Sequence, residues 1–170
     1  MSDIRELLIH DLKDLLHAEN QLIAALPKMA KAAHNPKLRE CFEKHLAQTE
    51  NHAERLRQAF ELLGEAAKPT PCKAMAGLIA EGQQIIEENG DKDELTADLA
   101  LIGAAQKVEH YEIAGYGTVR TLAQQLDERE VARLLSHTLG EEESADFLLT
   151  EVAKPLVQEA VTEEYEPVAG

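Results

Sequence analysis

Acidic side chains stand where oily ones belong in the helical stripes of this sequence. Apolar residues recur by threes and fours at Leu8, Leu12, Leu15, Leu22 and Leu26, and the position that completes the series is Glu19. That spacing marks one face of an α-helix, which turns about 100° per residue. A stripe of Ile102, Ile113 and Tyr116 has Glu109 at its centre and Glu112 on its flank. A third, through Leu135, Thr138 and Leu149, passes through Glu142, with Asp146 one turn on. On the stripe of Leu38, Phe42, Leu46, Leu56 and Phe60, the inward side carries His45, Thr49 and His52, with Glu50 at its boundary. By the same count Glu141 and Glu143 turn toward solvent.

Start and stop signals divide the chain into helices. Ser2-Asp3 opens a first helix running to about Ala33, with Pro27 as a candidate kink. Asn35-Pro36 caps a second, which Gly64 stops. Pro69 and Pro71 break the register, and a short amphipathic helix is expected over 75–88, followed by a turn at Asn89-Gly90-Asp91. A third long helix is expected from about Lys92 to Gln125. Asp127 and Glu130 have the spacing of a capping box for a fourth, whose pattern fades near Pro155. The expected organisation is one domain over 1–158 and a loosely docked acidic tail over 159–170.

Short turns join the first pair of helices and the last pair, whereas a long connection separates Gly64 from Lys92. A helix of about 14 residues, such as that connection is expected to carry, spans roughly 21 Å, a large part of a bundle's length. The expected fold is therefore all-α, a ferritin-like four-helix bundle with a long crossover connection carrying a short helix. Aromatics are only 4% of the 170 residues and Trp is absent, which favours packed helices over a β-sandwich. The formal charge of −15 opposes binding to nucleic acid, which depends on basic side chains meeting phosphates. No apolar run of about 18 residues suits a membrane, and the N-terminus lacks a signal-peptide pattern. Two cysteines, Cys41 and Cys72, have no metal-type spacing, so a reduced cytoplasm is the expected setting.

Depth along the helices agrees with rotation around them. Glu19 lies as far before the turn at Ala33 as Glu50 lies past Pro36. Glu112 lies that same distance before Leu126, and Glu142 lies it past Glu128. The carboxylates thus meet at one level. Ionised acids held together in a core repel one another and cost several kcal/mol unless neutralised. Divalent cations that accept carboxylate and imidazole ligands would do so, two of them for this many acids. Iron is the first candidate, with manganese or zinc as alternatives. The expected ligands are Glu19, Glu109, Glu112, Glu142 and Asp146, with Glu50, His52 and His45 competing for the second-helix position. Taken singly, His45 reads as an interior histidine, and His17 and His110 as surface or interface groups. The competing reading is a hydrogen-bonded polar layer sharing protons with Tyr111, Tyr116 and the histidines.

The stretches AENQLIAALPKMA, HLAQTENHAERL, PCKAMAGLI, QKVEHYEIAGYGTV and LGEEESAD resemble the YciE/YciF-like family, a stress-associated branch of the ferritin-like superfamily. The likeness covers nearly the whole chain apart from its tail. It implies a four-helix bundle, a homodimer and a two-metal site. Under it Glu19 matches the first-helix glutamate, Glu109 and Glu112 the third-helix pair, and Glu142 with Asp146 the fourth-helix pair. The sequence departs from the rubrerythrin and ferroxidase pattern. Helix four has Glu-x-x-x-Asp in place of Glu-x-x-His, and helix two has Ala53 where that histidine would stand.

Two functions follow. One is a redox metalloprotein of the stress response, with peroxide or dioxygen at open metal positions. The other is a non-catalytic metal-binding or structural stress protein acting through a partner surface. A hollow iron-storage cage is a weaker third. Leu7, Leu16 and Ile23 are the expected dimer face.

Overall fold

The computed structural model describes residues 3–165, with side chains to residue 162. Its elements are α1 (Asp3–Ala32), α2 (Pro36–Leu63), α3 (Lys73–Glu88), a 3-10 turn (Asn89–Asp91), α4 (Glu94–Gln125) and α5 (Arg129–Tyr165). The described chain is all-α.

Local chemistry sets these limits. Asn35 Oδ1 accepts from the backbone N–H groups of Lys37 and Leu38 at 2.9 and 3.2 Å, with Pro36 as the first helical residue. Gly64 ends α2 in the left-handed conformation, φ 69°. Its N–H donates to the Glu61 carbonyl, and that of Glu65 donates to the Phe60 carbonyl. The end of α4 closes the same way. Asp127 N–H donates to the Gln124 carbonyl, and Glu128 N–H to the Ala123 carbonyl. Here the left-handed residue is Asp127, φ 57°. Asp127 therefore ends α4 instead of opening α5 as half of a capping box, and its carboxylate accepts from Arg129 Nε. An aspartate in this conformation costs about 1 kcal/mol that glycine avoids. Asp127→Gly should thus raise the unfolding free energy by about that amount, measured by urea titration, since the exposed Arg129 contact contributes little.

α5 runs through Pro155, past the point where its pattern fades. Pro155 and Glu151, whose carbonyl the ring displaces, both lie on the exposed side, where water meets the freed group. Leu156 is buried beyond them. Residues 159–165 of the expected tail are helical; 166–170 lie outside the described residues.

α1 packs against α2, α4 and α3; α5 packs against α4 and α2; α3 lies on α4 and α1. At one end Arg5 ties α1 to the close of both hairpins, donating to the Leu63 carbonyl at 2.8 Å and to Glu128 Oε1 at 3.1 Å. At the other end the buried carboxylate of Asp98 accepts from the N–H groups of His34 and Asn35 at 2.8 and 2.6 Å, pinning the α1–α2 turn to the start of α4.

The interior is divided into two apolar clusters, and every long helix contributes to both. α1 leaves one at Leu16 and enters the other at Ala18; α2 passes between them from Phe42 to Ala53. α4 does so from Ala105 to Tyr116, and α5 from Leu139 to Leu149. The crossings of α2, α4 and α5 contain His45, Thr49, His52, Glu109, Glu112 and Glu142, and Glu19 follows Ala18 directly on α1; all seven are buried. The polar layer is the boundary between two oily halves.

Of the residues expected at the dimer face, Leu16 is buried within the first cluster of this chain and Ile23 is partly buried against it. Leu7, at 47% exposed, stays on the surface.

Candidate metal centre

Three residues of α2 spaced by four and three, His45, Thr49 and His52, share the face that looks into the layer. Thr49 is occupied by its own helix, donating from Oγ1 to the His45 carbonyl at 2.9 Å. The two imidazoles are free to point inward. His45 Nε2 lies 3.3 Å from Glu109 Oε1 and 3.5 Å from Glu142 Oε2. His52 Nδ1 lies 2.8 Å from Glu142 Oε1 and 3.5 Å from Glu19 Oε1. The donor atoms form two groups, each with all atoms within 4.8 Å of one another. One is His45, Glu109, Glu112 and Glu142, and the other is Glu19, His52 and Glu142. Glu142 belongs to both.

Both histidines are held from behind. His52 Nε2 lies 2.8 Å from Glu141 Oε2, and Arg55 clasps that carboxylate from 2.5 Å. In the neutral ring a carboxylate partner favours the proton on Nε2, which turns the Nδ1 lone pair toward Glu19 and Glu142. His45 Nδ1 makes a longer contact, 3.5 Å, with Gln48 Oε1. Imidazoles that ligate metals are oriented in this way through the far nitrogen. Tyr116, fully buried, donates its hydroxyl to Glu19 Oε1.

The electrostatics are those of a site short of positive charge. Burial, then the charges of Glu142, Glu19 and Glu109, push the Glu112 carboxyl well above its usual range. Burial, then Glu109 and Glu19, do the same to Glu142. Burial also drives the Tyr116 hydroxyl upward, with Glu19 and Glu112 adding to it, so it remains a donor. For His52 burial opposes the charged ring, but contact with Glu19 and the charges of Glu19 and Glu112 outweigh it and raise its pKa. Among the described residues, the ion-pair partners of Glu19, Glu109 and Glu142 within the layer are these two histidines.

The residues fit a metal on one decisive observation. Glu19 Oε2, His45 Nε2, His52 Nδ1, Glu109 Oε2, both oxygens of Glu112 and both of Glu142 are buried without a hydrogen-bond partner. Buried polar atoms are nearly always satisfied, and these eight face one another instead, as His52 Nδ1 and Glu142 Oε1 do at 2.8 Å, on residues of the two groups that share Glu142. These buried groups can hold a metal ion.

Five of the seven residues expected from the sequence, Glu19, His52, Glu109, Glu112 and Glu142, meet here. Two do not. Glu50 is exposed, because one residue past the inward Thr49 turns its side chain about 100° away. Asp146 sits four residues past Glu142, which rotates it about 40° toward the α4 seam. There it accepts from Gln106 Nε2 at 3.0 Å and pairs with His110 Nε2 at 3.2 Å. His45, one of the three residues competing for the second-helix position and taken singly as an interior histidine, joins the cluster. Glu141, read as solvated, is the partner of His52. The seven-residue step from His45 to His52 signalled two inward imidazoles; nothing local signals Glu141, whose role depends on Arg55 in another helix.

A family profile described as "Domain of unknown function (DUF892)" matches residues 3–162. The chain belongs to the DUF892 family. This DUF892 chain is 47% identical over 154 residues to Protein YciF of Escherichia coli strain K12, covering 90% of itself and 92% of that protein. It superposes on the crystal structure of the E. coli stress protein YciF with a TM-score of 0.88 at 45% identity, covering 93% of itself and 99% of that chain. YcfI from Rhodopseudomonas palustris gives a TM-score of 0.84 at 38% identity, covering 88% and 94%. A Xanthomonas campestris protein shares the fold at 23% identity, with a TM-score of 0.73 over 96% of this chain and 100% of its own. The YciE/YciF-like resemblance read from the sequence is thereby established. No described helix of this DUF892 chain is long and apolar enough to cross a membrane.

Proposed function

We propose that this DUF892 protein is a two-metal carboxylate protein of the stress response, built as a ferritin-like four-helix bundle whose crossover carries α3. Its setting is the cytoplasm, as a homodimer. The observation that supports it is the set of eight unpartnered buried donor atoms in two groups sharing Glu142. Four carboxylates carry four negative charges, and two divalent ions cancel them. The description of the E. coli relative as a stress protein supports the physiological setting.

Glu109, Glu112 and His45 would hold one ion, Glu19 and His52 the other, with Glu142 between them. When bound, iron or manganese supplies a redox electron and Lewis acidity toward peroxide or dioxygen. The chain's own residues prepare the site. Glu141, partly buried but kept ionised by Arg55 and His52, holds the His52 proton away from the centre. Tyr116 binds one oxygen of Glu19 and leaves the other free. The two apolar clusters keep bulk water out and lower the local dielectric. A non-catalytic, metal-holding role is the second reading, favoured by the complete burial of Glu19, His52, Glu112 and Glu142.

Loading with ferrous or manganous ion should give two ions per chain by elemental analysis, with anomalous signal between α1 and α5. Peroxide consumption by the iron-loaded protein supports turnover. Two bound ions without consumption supports the metal-holding role. Protein that takes up no ion defeats both.

A further inference from the structure

We propose that the cavity beneath α3 is a binding site and access path for small, uncharged, apolar molecules of the dioxygen class, and that Gly82 holds it open. The cavity measures about 60 Å³ and is walled by Leu22 and Leu26 of α1, Phe42 of α2, Leu78 and Ile79 of α3, and Val108 of α4. Its polar lining is confined to Lys28, Gln83 and Glu109. Lys28 is exposed and Gln83 half-buried, so they mark the mouth; Glu109 is buried and marks the inner end. Glu109 Oε2 is one of the orphan atoms of the carboxylate layer. The cavity therefore runs from the surface to the layer, with a candidate ligand, Glu109, in its lining.

Size and lining set the class of occupant. Organic cofactors need pockets of roughly 300–1,000 Å³, which this is not. A water molecule needs about 10–15 Å³, so a few small molecules fit. Water also needs two to four polar partners, and the walls between mouth and inner end offer none. Hydrogen-bonding and charged species lose their hydration there without replacement, whereas an apolar solute loses nothing.

Gly82 is itself part of the cavity lining. It is buried in the interior of α3, where glycine costs a helix about 1 kcal/mol relative to alanine. Helical glycines are tolerated where another chain segment comes close. Gly115 is such a case, since a Cβ there would lie 2.8 Å from Leu15 Cδ2. At Gly82 a Cβ would meet nothing within 4 Å. The missing side chain leaves space, not contact, and that space is the cavity.

The inference rests on the two-metal reading only for what lies at the inner end, so its test uses metal-free protein. Xenon and dissolved dioxygen are the probes. A crystal pressurised with xenon should show one site beside Gly82. Paramagnetic relaxation by dissolved dioxygen should be several-fold greater at the methyls of Leu78 and Ile79 than at those of Leu8 and Leu12 in the other cluster. Gly82→Leu should fold, melt no lower than wild type, lose the xenon site and bring the Leu78 and Ile79 relaxation down to the level of Leu8. Gly82→Ala should give a partial reduction and serves as the reading if the leucine variant does not fold. Ordered water that xenon fails to displace, or equal relaxation at both clusters, overturns the proposal. A failure to bind metal leaves these readouts unchanged and bears on the two-metal reading alone.

Discussion

Glu142→Gln is expected to abolish the thermal stabilisation that divalent metal gives the wild-type protein, while making the metal-free protein more stable. Glu142 belongs to both donor groups, so its loss weakens both positions. Glu109→Gln, which touches only the group of His45, should leave one ion per chain. A site held at about 100 times its dissociation constant adds about 2.7 kcal/mol, so two add about 5. For a chain of this length each kcal/mol shifts Tm by about 2–4 °C, which places the wild-type shift near 10–20 °C. The opposite sign in metal-free protein follows from removing one of four mutually repelling buried carboxylates. Calorimetry of both proteins with chelator and with manganese checks each half. A variant that is less stable without metal, yet gains as much from metal as wild type, would refute the arrangement.

The second large effect is a pH dependence that reverses with metal. In metal-free protein the Glu112 and Glu142 carboxyls have pKa values raised above the ordinary 4.5 by burial and neighbouring acids. The native state then holds protons that the unfolded chain has released. Their stabilisation is complete below about 4.5 and is lost as pH rises through the raised native values. His52 acts in the same direction. Its pKa is raised above 6.5, so its contribution is present below that value and lost above the native one. Glu141 acts at the acid end, since its pKa is depressed below 4.5 and its contribution disappears only as pH falls through that region. Metal-free Tm should therefore fall as pH rises from about 4.5 through the raised native values. With metal the carboxylates must be ionised to bind, and Tm should hold or rise over the same range. Glu112→Gln combined with Glu142→Gln should flatten the metal-free slope, which separates this effect from general repulsion in a chain of charge −15. A metal-free Tm that climbs across the range would contradict the assignment of the layer.

Much of the layer was visible because its logic is periodic. Glu19, Glu109, Glu112 and Glu142 complete stripes whose other members are apolar, and the helix limits that set their depth lie in capping residues a few positions away. The extent of α5 past Pro155 was hidden for a different reason. A proline's effect depends on whether the carbonyl it displaces meets water, which is decided by what covers that side of the helix. The same holds for Asp127, whose spacing to Glu130 suits the start of one helix while its backbone serves the end of another.

From the sequence alone follow the all-α class, the ends of α2 and the carboxylates that replace oily residues, since each depends on repeats and caps within a few residues. Tertiary structure alone decided that Glu50 and Asp146 stay out of the centre that His45 and His52 face, that Glu141 turns back to His52, and that Gly82 opens onto a cavity. The reason is rotational. A helix rolled by one residue about its axis keeps its hydrophobic pattern almost intact but moves a side chain through about 100°, and only the neighbouring helices fix that roll.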